Sequence, residues 1–355
     1  MELAERKHGR NGTLDVVKFI SCLFIVFYHF NIYTDTKQYF SGGQFGVEIF
    51  CMISGVFFFE KYRKNSETIT TWEYAKERFW RFFPYTTVSF IILYLFYEVT
   101  GNGHSLSTHL EHISEYIWEI LLVDMIGLNQ GGAFLNFPTW TISCLLIVEC
   151  IILGFLICSR RAFFNLIAPV SLMIFYGVWS NLDSPNYRTW LGIINFGILQ
   201  VWCAVVWGIF AVLAAEKLKK ITKISKLLTV IEMVCYCVSG MIMLTTSRLY
   251  WRFILTLLIF VAISISLSQR SYSGYLFKDS KFTRWLASLS FAIYLTHSLL
   301  LKIFQTVLSP EQMMHFWPLF LVALVAFSSV FDQGMKIIIR FFRSKYIQVK
   351  KHYGI

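Results

Sequence analysis

Charge is what this chain has least of. Only 15% of its 355 residues are charged while 56% are hydrophobic, and the mean hydropathy is +0.57. A soluble globule of this length needs a far more polar surface, so that class is excluded. Acidic residues are the scarcer sign, 21 against 32 Lys and Arg. The net charge of +11 would suit a nucleic-acid partner. However, the basic residues lie between apolar segments instead of gathering on a polar domain, so no nucleic acid is expected. Proline is rare as well: the six residues sit mostly at the ends of apolar runs or in loops. All eight cysteines fall in apolar stretches, and Cys235-x-Cys237 has no second pair at metal-ligand spacing. Neither structural disulfides nor a metal centre is expected. There is no nucleotide-binding loop, no Rossmann glycine pattern and no serine elbow. Nor is there a cleavable leader, since the first apolar run is longer than a signal core and no small-residue cleavage site follows it.

What is present is hydrocarbon and aromatic surface, with 35 Phe, 18 Tyr and 11 Trp. Runs of about 17–25 apolar residues predict about ten membrane-spanning helices and no strands. They lie near 14–33, 43–60, 82–98, 140–158, 162–180, 191–214, 227–246, 251–268, 286–306 and 317–338. With loops placed alternately, one side collects 27 of the Lys and Arg. The other collects five: Lys37, Arg188, Arg248, Arg252 and Lys302. The positive-inside rule then puts both termini in the cytoplasm. The expectation is an all-α polytopic membrane protein, a single domain over 1–355 with no appended soluble domain.

The few ionisable groups inside these runs are the candidates for chemistry, because each is costly in a bilayer. In the first span, LDVVKFISCLFIVFYHF, Asp15, Lys18, Cys22 and His29 fall within roughly 60° of one another at 100° per residue. Lys18 and His29 are about 16 Å apart along the axis. Glu48 in the second span lies at a depth similar to His29, where a carboxylate would orient the imidazole as a general base requires. Glu149 and His297 sit near the middle of their spans, and Asp332 and Lys336 are one turn apart and able to pair. The stretch Lys61–Arg81 reads as the largest cytoplasmic loop, with Pro84 opening the next span. Its Arg78 and Arg81 would share a helix face, either as an ordinary basic anchor or as a fork for a polyanion. The outer stretch Glu98–Thr139 has no Lys or Arg. Within it, Ile113–Leu128 is too short to span and either lies in the interface or re-enters the bundle. Its His104, His109 and His112 lack a fourth ligand at a metal-like spacing. The tail after Ile339 reads as a basic membrane-surface segment.

Taken in order, these landmarks resemble membrane-bound acyltransferase family 3. Asp15, Lys18 and His29 stand at the family's acid, Arg and His of the first span, with Lys replacing Arg. GQFGVEIFCMISG resembles its second-span pattern around Glu48. Arg78 and Arg81 match its Arg-x-x-Arg pair, Trp140 to Glu149 its Trp…Glu span, and Tyr294 to His297 its Tyr-x-x-His, with Ser298 in place of a common Pro. The resemblance implies an acyl donor, acetyl-CoA, entering from the cytoplasm onto Lys18, Arg78 and Arg81. It implies a hydroxyl of a glycan or glycolipid as acceptor, His29 as base with Glu48 beside it, and Asp15, Glu149, Tyr294 and His297 as further buried polar groups. It also implies a bacterial inner membrane and, as partners, other polysaccharide-biosynthesis proteins. The competing reading is a carrier or flippase for a lipid-linked sugar, using the same charges as a path. Such a protein typically shows paired repeats, and none is evident here. A scaffold without chemistry would leave the buried ionisable groups unexplained.

Overall fold

The computed structural model describes residues 11–36, 39–102, 116–127, 135–182, 187–192, 194–221 and 223–353. His104, His109 and His112 lie outside them, as do the N-terminal ten residues. Among the described residues the structure is helical, and no strand forms apart from an isolated bridge between Trp190 and Asn195. Without water in the hydrocarbon, every backbone N–H and C=O must be paired within its own segment, and the helix does this.

Ten long helices carry the fold. These are α1 (Gly12–Thr34), α2 (Gly46–Lys64), α3 (Thr71–Tyr97), α4 (Thr139–Ala162), α5 (Ala168–Asn181), α6 (Phe196–Leu218), α7 (Lys226–Thr245), α8 (Leu249–Ser268), α9 (Lys281–Val307) and α10 (Trp317–Tyr353). Among the described residues nine continuous helical stretches are, by length and composition, able to cross a membrane, the fourth of them 43 residues long, Thr139–Asn181. At 1.5 Å per residue that stretch spans about 64 Å, twice a hydrocarbon core of about 30 Å. Ser159, at φ −160° and ψ 94°, interrupts it beside Arg160 and Arg161. It therefore comprises two of the expected spans, α4 and α5.

One boundary differs from expectation. The stretch TTWEYAKERFW is the beginning of α3 and not a loop, and Pro84 lies inside that helix. Thr70 caps it by accepting from the Glu73 N–H, which starts the helix eleven residues before the apolar run does. This places Tyr74, Arg78 and Arg81 on a rigid rod. α10 likewise continues past the apolar run, through to Tyr353.

α2, α6 and α9 form the interior: in an 18-residue window, 78% of α2 and 72% of α9 is buried, against 28% for α3, α7 and α10. α2 packs on α6, α1 on α9, α9 on α10 and α7 on α8. The α2–α6 contact is close because Gly55 faces the Val205 backbone and Gly208 faces the Met52 backbone. A methyl group on either would collide with the opposing main chain, the small-residue device that lets membrane helices approach. Asn11 fixes the start of α1. Its side-chain oxygen accepts from the Thr13 and Leu14 N–H groups while its amide donates to the Ser266 carbonyl of α8 at 2.9 Å.

Between α3 and α4, the described part of Ile113–Leu128 re-enters the bundle. Glu119, Leu122, Asp124 and Met125 are all buried. Glu119 accepts from the Leu135 and Asn136 N–H groups and from Thr139 Oγ1 at 2.9–3.2 Å, tying this segment to the first turn of α4.

Candidate functional site between two opposed cavities

Two cavities enter the bundle from opposite ends. The first, about 580 Å³, opens at the basic end and is lined by Lys18, Phe50, Ser54, Arg78, Arg81, Tyr85, Arg284, Asp332 and Lys336 among others. The second, about 790 Å³, opens at the sparsely charged end and is lined by Tyr28, His29, Gln44, Phe137, Trp140, Trp179, Tyr187, Gln200, Arg248 and Arg252 among others. Little separates them. On α4 the linings pass from Trp140 to Ile142, and on α2 from Val47 to Phe50. Those steps correspond to axial rises of about 3 Å and 4.5 Å.

The septum is aromatic. Phe50, at the floor of the basic cavity, stacks on Tyr294 with centroids 5.7 Å apart. Tyr294 lies 6.0 Å from His297, and His297 stacks 5.3 Å from His29, which faces the other cavity. Phe137 packs against both imidazoles, 4.5 Å from His29 and 5.4 Å from His297. Tyr294 donates its hydroxyl hydrogen among the Pro138 carbonyl and Thr141 Oγ1, both at 2.9 Å. His297 Nδ1 lies 2.8 Å from the Tyr294 carbonyl and 3.2 Å from that of Ile293. Both are acceptors only, so Nδ1 carries the hydrogen and Nε2 the lone pair. That Nε2 is buried and has no hydrogen-bond partner among the described residues.

The basic cavity gathers the three residues expected to grip an anion. Lys18 Nζ sits 4.7 Å above the Phe50 ring and 5.1 Å from that of Phe57. Arg78 is held rather than free. Its guanidinium pairs with Glu149 at 2.5 Å and donates to Ser54 Oγ at 3.0 Å. Glu149, fully buried, also accepts from Ser54 Oγ at 2.8 Å and Tyr74 Oη at 2.7 Å. A carboxylate in that position must be paired, and three partners satisfy it. Arg81, one turn on, is exposed at the cavity wall. Asp332 accepts from Lys336 at 2.5 Å, as the one-turn spacing predicts, and from Ser288 at 2.9 Å. Five cations and one carboxylate line this cavity, and three of the cations, Arg78, Arg284 and Lys336, are ion-paired with Glu149, Asp279 and Asp332. Asp15 is buried in the first turn of α1, outside the lining.

Glu48 requires a correction. It makes no hydrogen bond to His29 but pairs with Arg252 of α8. Arg252 in turn lies 3.5 Å from the Trp179 ring centroid and is itself buried. At that depth a carboxylate and a guanidinium each need the other, and their mutual attraction outweighs an imidazole contact. His29 is positioned by the rings around it instead.

The roles of several residues of the site carried no sequence signal. Asn136 links three elements: its amide donates to Ser89 Oγ at 3.0 Å and the Leu295 carbonyl at 3.1 Å, and its oxygen accepts from Ser298 at 2.6 Å. That clamp fixes the adjacent Phe137 against the imidazoles. Ser298, noted only as replacing a proline, is thus part of the frame. Trp140 stacks flat on Tyr187 at 4.6 Å, building an aromatic wall in the second cavity. Among the described residues no group of three or more His, Cys, Asp or Glu is placed to hold a metal ion.

A bundle of membrane-competent helices holding two opposed cavities separated by a thin aromatic septum defines a multi-pass membrane protein. The chain belongs to acyltransferase family 3: the family model described as an acyltransferase domain matches residues 11–332. It is a membrane acyltransferase. No curated protein and no solved structure matches it.

Proposed function

We propose that the protein is an O-acyltransferase, an O-acetyltransferase in the first instance. It moves an acyl group from cytoplasmic acyl-CoA to a hydroxyl of a glycan or glycolipid, in a bacterial plasma membrane. The observation that carries this reading is the pair of opposed cavities separated only by the aromatic septum of Phe50, Tyr294 and His297, with His29 lining the second. The cationic one suits the phosphates of a CoA ester, with Arg81, Lys18 and the pinned Arg78 as contacts. Its floor at Phe50 would lie beside the thioester, and the aromatic cavity beyond suits a sugar.

In the reaction, His29 takes the proton of the acceptor hydroxyl as its oxygen attacks the thioester carbonyl carbon. The carbon–sulfur bond then breaks, and the thiolate leaves with the proton returned from the imidazolium. The products are an O-acyl ester and the free CoA thiol. His297 stacks on the His29 ring with its Nδ1 hydrogen held by backbone carbonyls, so the face of His29 away from the acceptor is packed by a second imidazole. Glu149 and Tyr74 serve by holding Arg78 in place.

The test is release of CoA thiol from acetyl-CoA by the purified protein, with a glycan extract of the host as acceptor. Thiol release that requires both the extract and His29 supports the reading. Equal release from His29→Ala, with the protein intact, overturns the role of His29. Movement of a lipid-linked sugar across the bilayer without consumption of acyl-CoA would identify a carrier instead.

A further inference from the structure

The septum between the two cavities is closed differently along its edges. Towards α1, α9 is held by Cys22 Sγ, which donates to the Ser290 carbonyl at 3.1 Å. Towards α4, Tyr294 bonds to Pro138 and Thr141, and the Asn136 clamp keeps Phe137 against the imidazoles. Towards α2 the closing group is the ring of Phe50, a side chain with no hydrogen-bonding atom. It is half-buried and lies 15° from parallel on the Tyr294 ring. Stacking on one side and the Lys18 ammonium on the cavity side are what hold it. The other rings of the septum are tied by hydrogen bonds, and this one is not.

Phe50, Ser54 and Phe57 share one face of α2, and all three line the basic cavity. Lys18 Nζ lies over both rings of that face, 4.7 Å from Phe50 and 5.1 Å from Phe57. An aromatic side chain on a helix has two χ1 wells open to it. The well in use puts the Phe50 ring on Tyr294, and the ring borders about 580 Å³ of open space into which it can turn. Lys18 biases that choice by about two- to fivefold, the worth of a cation–π contact at a wetted site. A phosphate competes for the same ammonium with a stronger, charge-assisted bond. An anion bound in this cavity therefore loosens the ring at its floor.

We propose that Phe50 is the gate between the two cavities and the residue that limits acyl size, latched by Lys18 until an anionic donor draws that ammonium away. This deepens the transferase reading and rests on it for the identity of the donor. It supplies a step that reading needs. His29 lines one cavity and the cations line the other, so a thioester carbonyl meets an acceptor oxygen only when a ring of the septum yields. Turning one phenyl ring opens a gap the size of that ring. An acetyl group passes through it, and a long acyl chain does not. The closed ring also keeps water in the His29 cavity off the thioester. Without it, water adds to the carbonyl carbon and the carbon–sulfur bond breaks. One proton of that water passes through His29 to the thiolate, leaving a carboxylic acid and a free thiol.

The test has two arms, both on the full-length protein in detergent. The first puts 4-fluorophenylalanine at position 50 and follows its fluorine resonance with coenzyme A, which has no acyl group to transfer. A second resonance is expected to grow as coenzyme A is added, and to be present without it in Lys18→Met. A single resonance in Lys18→Met, unchanged from the protein with Lys18, overturns the latch. The second arm measures thiol release from acetyl-CoA with no acceptor. Phe50→Ala should raise it at least about tenfold over wild type, and Phe50→Tyr, which keeps a ring, should not. The rise should vanish when His29→Ala is added. A rise that survives there, or no rise at all, overturns the gate. With the glycan extract present, wild type should favour acetyl-CoA over octanoyl-CoA and Phe50→Ala should narrow that ratio; an unaltered ratio overturns the size limit. The fluorine arm needs neither turnover nor an acceptor and keeps the ring, so it decides the latch even where Phe50→Ala fails to fold. A resonance that ignores coenzyme A yet splits in Lys18→Met keeps the latch and places the failure in the donor reading.

Discussion

Arg78 and Arg81 look equivalent in the sequence, and the structure separates them. Arg81 lines the cavity from an exposed position, so Arg81→Ala removes one charge-assisted contact to a bound anion and little else. Such a contact is worth about 1.5–3 kcal/mol, about ten- to hundredfold in the KM for acetyl-CoA, with thermal stability unchanged. Arg78→Ala also loses an anion contact, but it strands Glu149, a fully buried carboxylate whose remaining partners are the hydroxyls of Ser54 and Tyr74. Removing one partner of a buried pair costs about 3–5 kcal/mol, so this variant should melt far lower than Arg81→Ala. The cycle closes with Glu149→Gln. Combined with Arg78→Ala it should recover most of the lost stability, because no uncompensated charge remains, while the KM stays raised. Thermal unfolding in detergent and initial-rate thiol release on wild type and the four variants give both readings. Equal melting of the two Arg→Ala variants, or a double variant no more stable than Arg78→Ala, would refute the assignment of Arg78 as a pinned group.

Three further outcomes follow from particular contacts. Glu48→Gln should destabilise the protein by leaving Arg252 buried without a carboxylate, yet leave the pH profile of kcat unmoved. A displaced limb of that profile would show that Glu48 acts on His29 after all. Gly208→Ala should lower stability by forcing α6 off the Met52 backbone, by 1–3 kcal/mol as for other overpacked cores, and Gly154→Ala, with nothing nearby, should be tolerated. Burial pushes the Glu119 carboxyl up to about 8, against the N–H donors of Asn136 and Leu135. An unfolded chain ionises this group near the usual 4.5 while the native protein stays protonated, so stability should fall from pH 5 to 8 and level off above. Glu119→Gln should melt without that decline.

The helices were legible because lipid leaves the backbone one solution and apolar runs mark it. His29, Lys18, Tyr294 and His297 were legible for a related reason: a polar group in an apolar span stands out against its neighbours. Partnership was less visible. Glu48 and Arg252 are 204 positions apart, and nothing in spacing along the chain joins them. Arg252 itself lies near the end of an apolar run, where a basic residue passes as a topology anchor. Arg78 and Arg81 share a face as expected, but that α3 begins at Thr71 was hidden by a charged first turn stabilised by its cap instead of by burial. Asn136 and Phe137 fell in a stretch read as outer loop, and their role depends on Ser89, Leu295 and His297, which only folding brings near.

The thin septum at Phe50, Tyr294 and His297 also has an electrical consequence. Were both cavities filled with water in a membrane, the transmembrane voltage would be concentrated onto that layer of ring carbon. A full charge crossing it would exchange about 2.3 kcal/mol per 100 mV with the field. In the proposed reaction the acyl group passing from sulfur to oxygen would be neutral, and the phosphates of a CoA carrier would stay behind on the cationic side. The proposed transfer would therefore proceed across an energised membrane without drawing on the potential or being opposed by it.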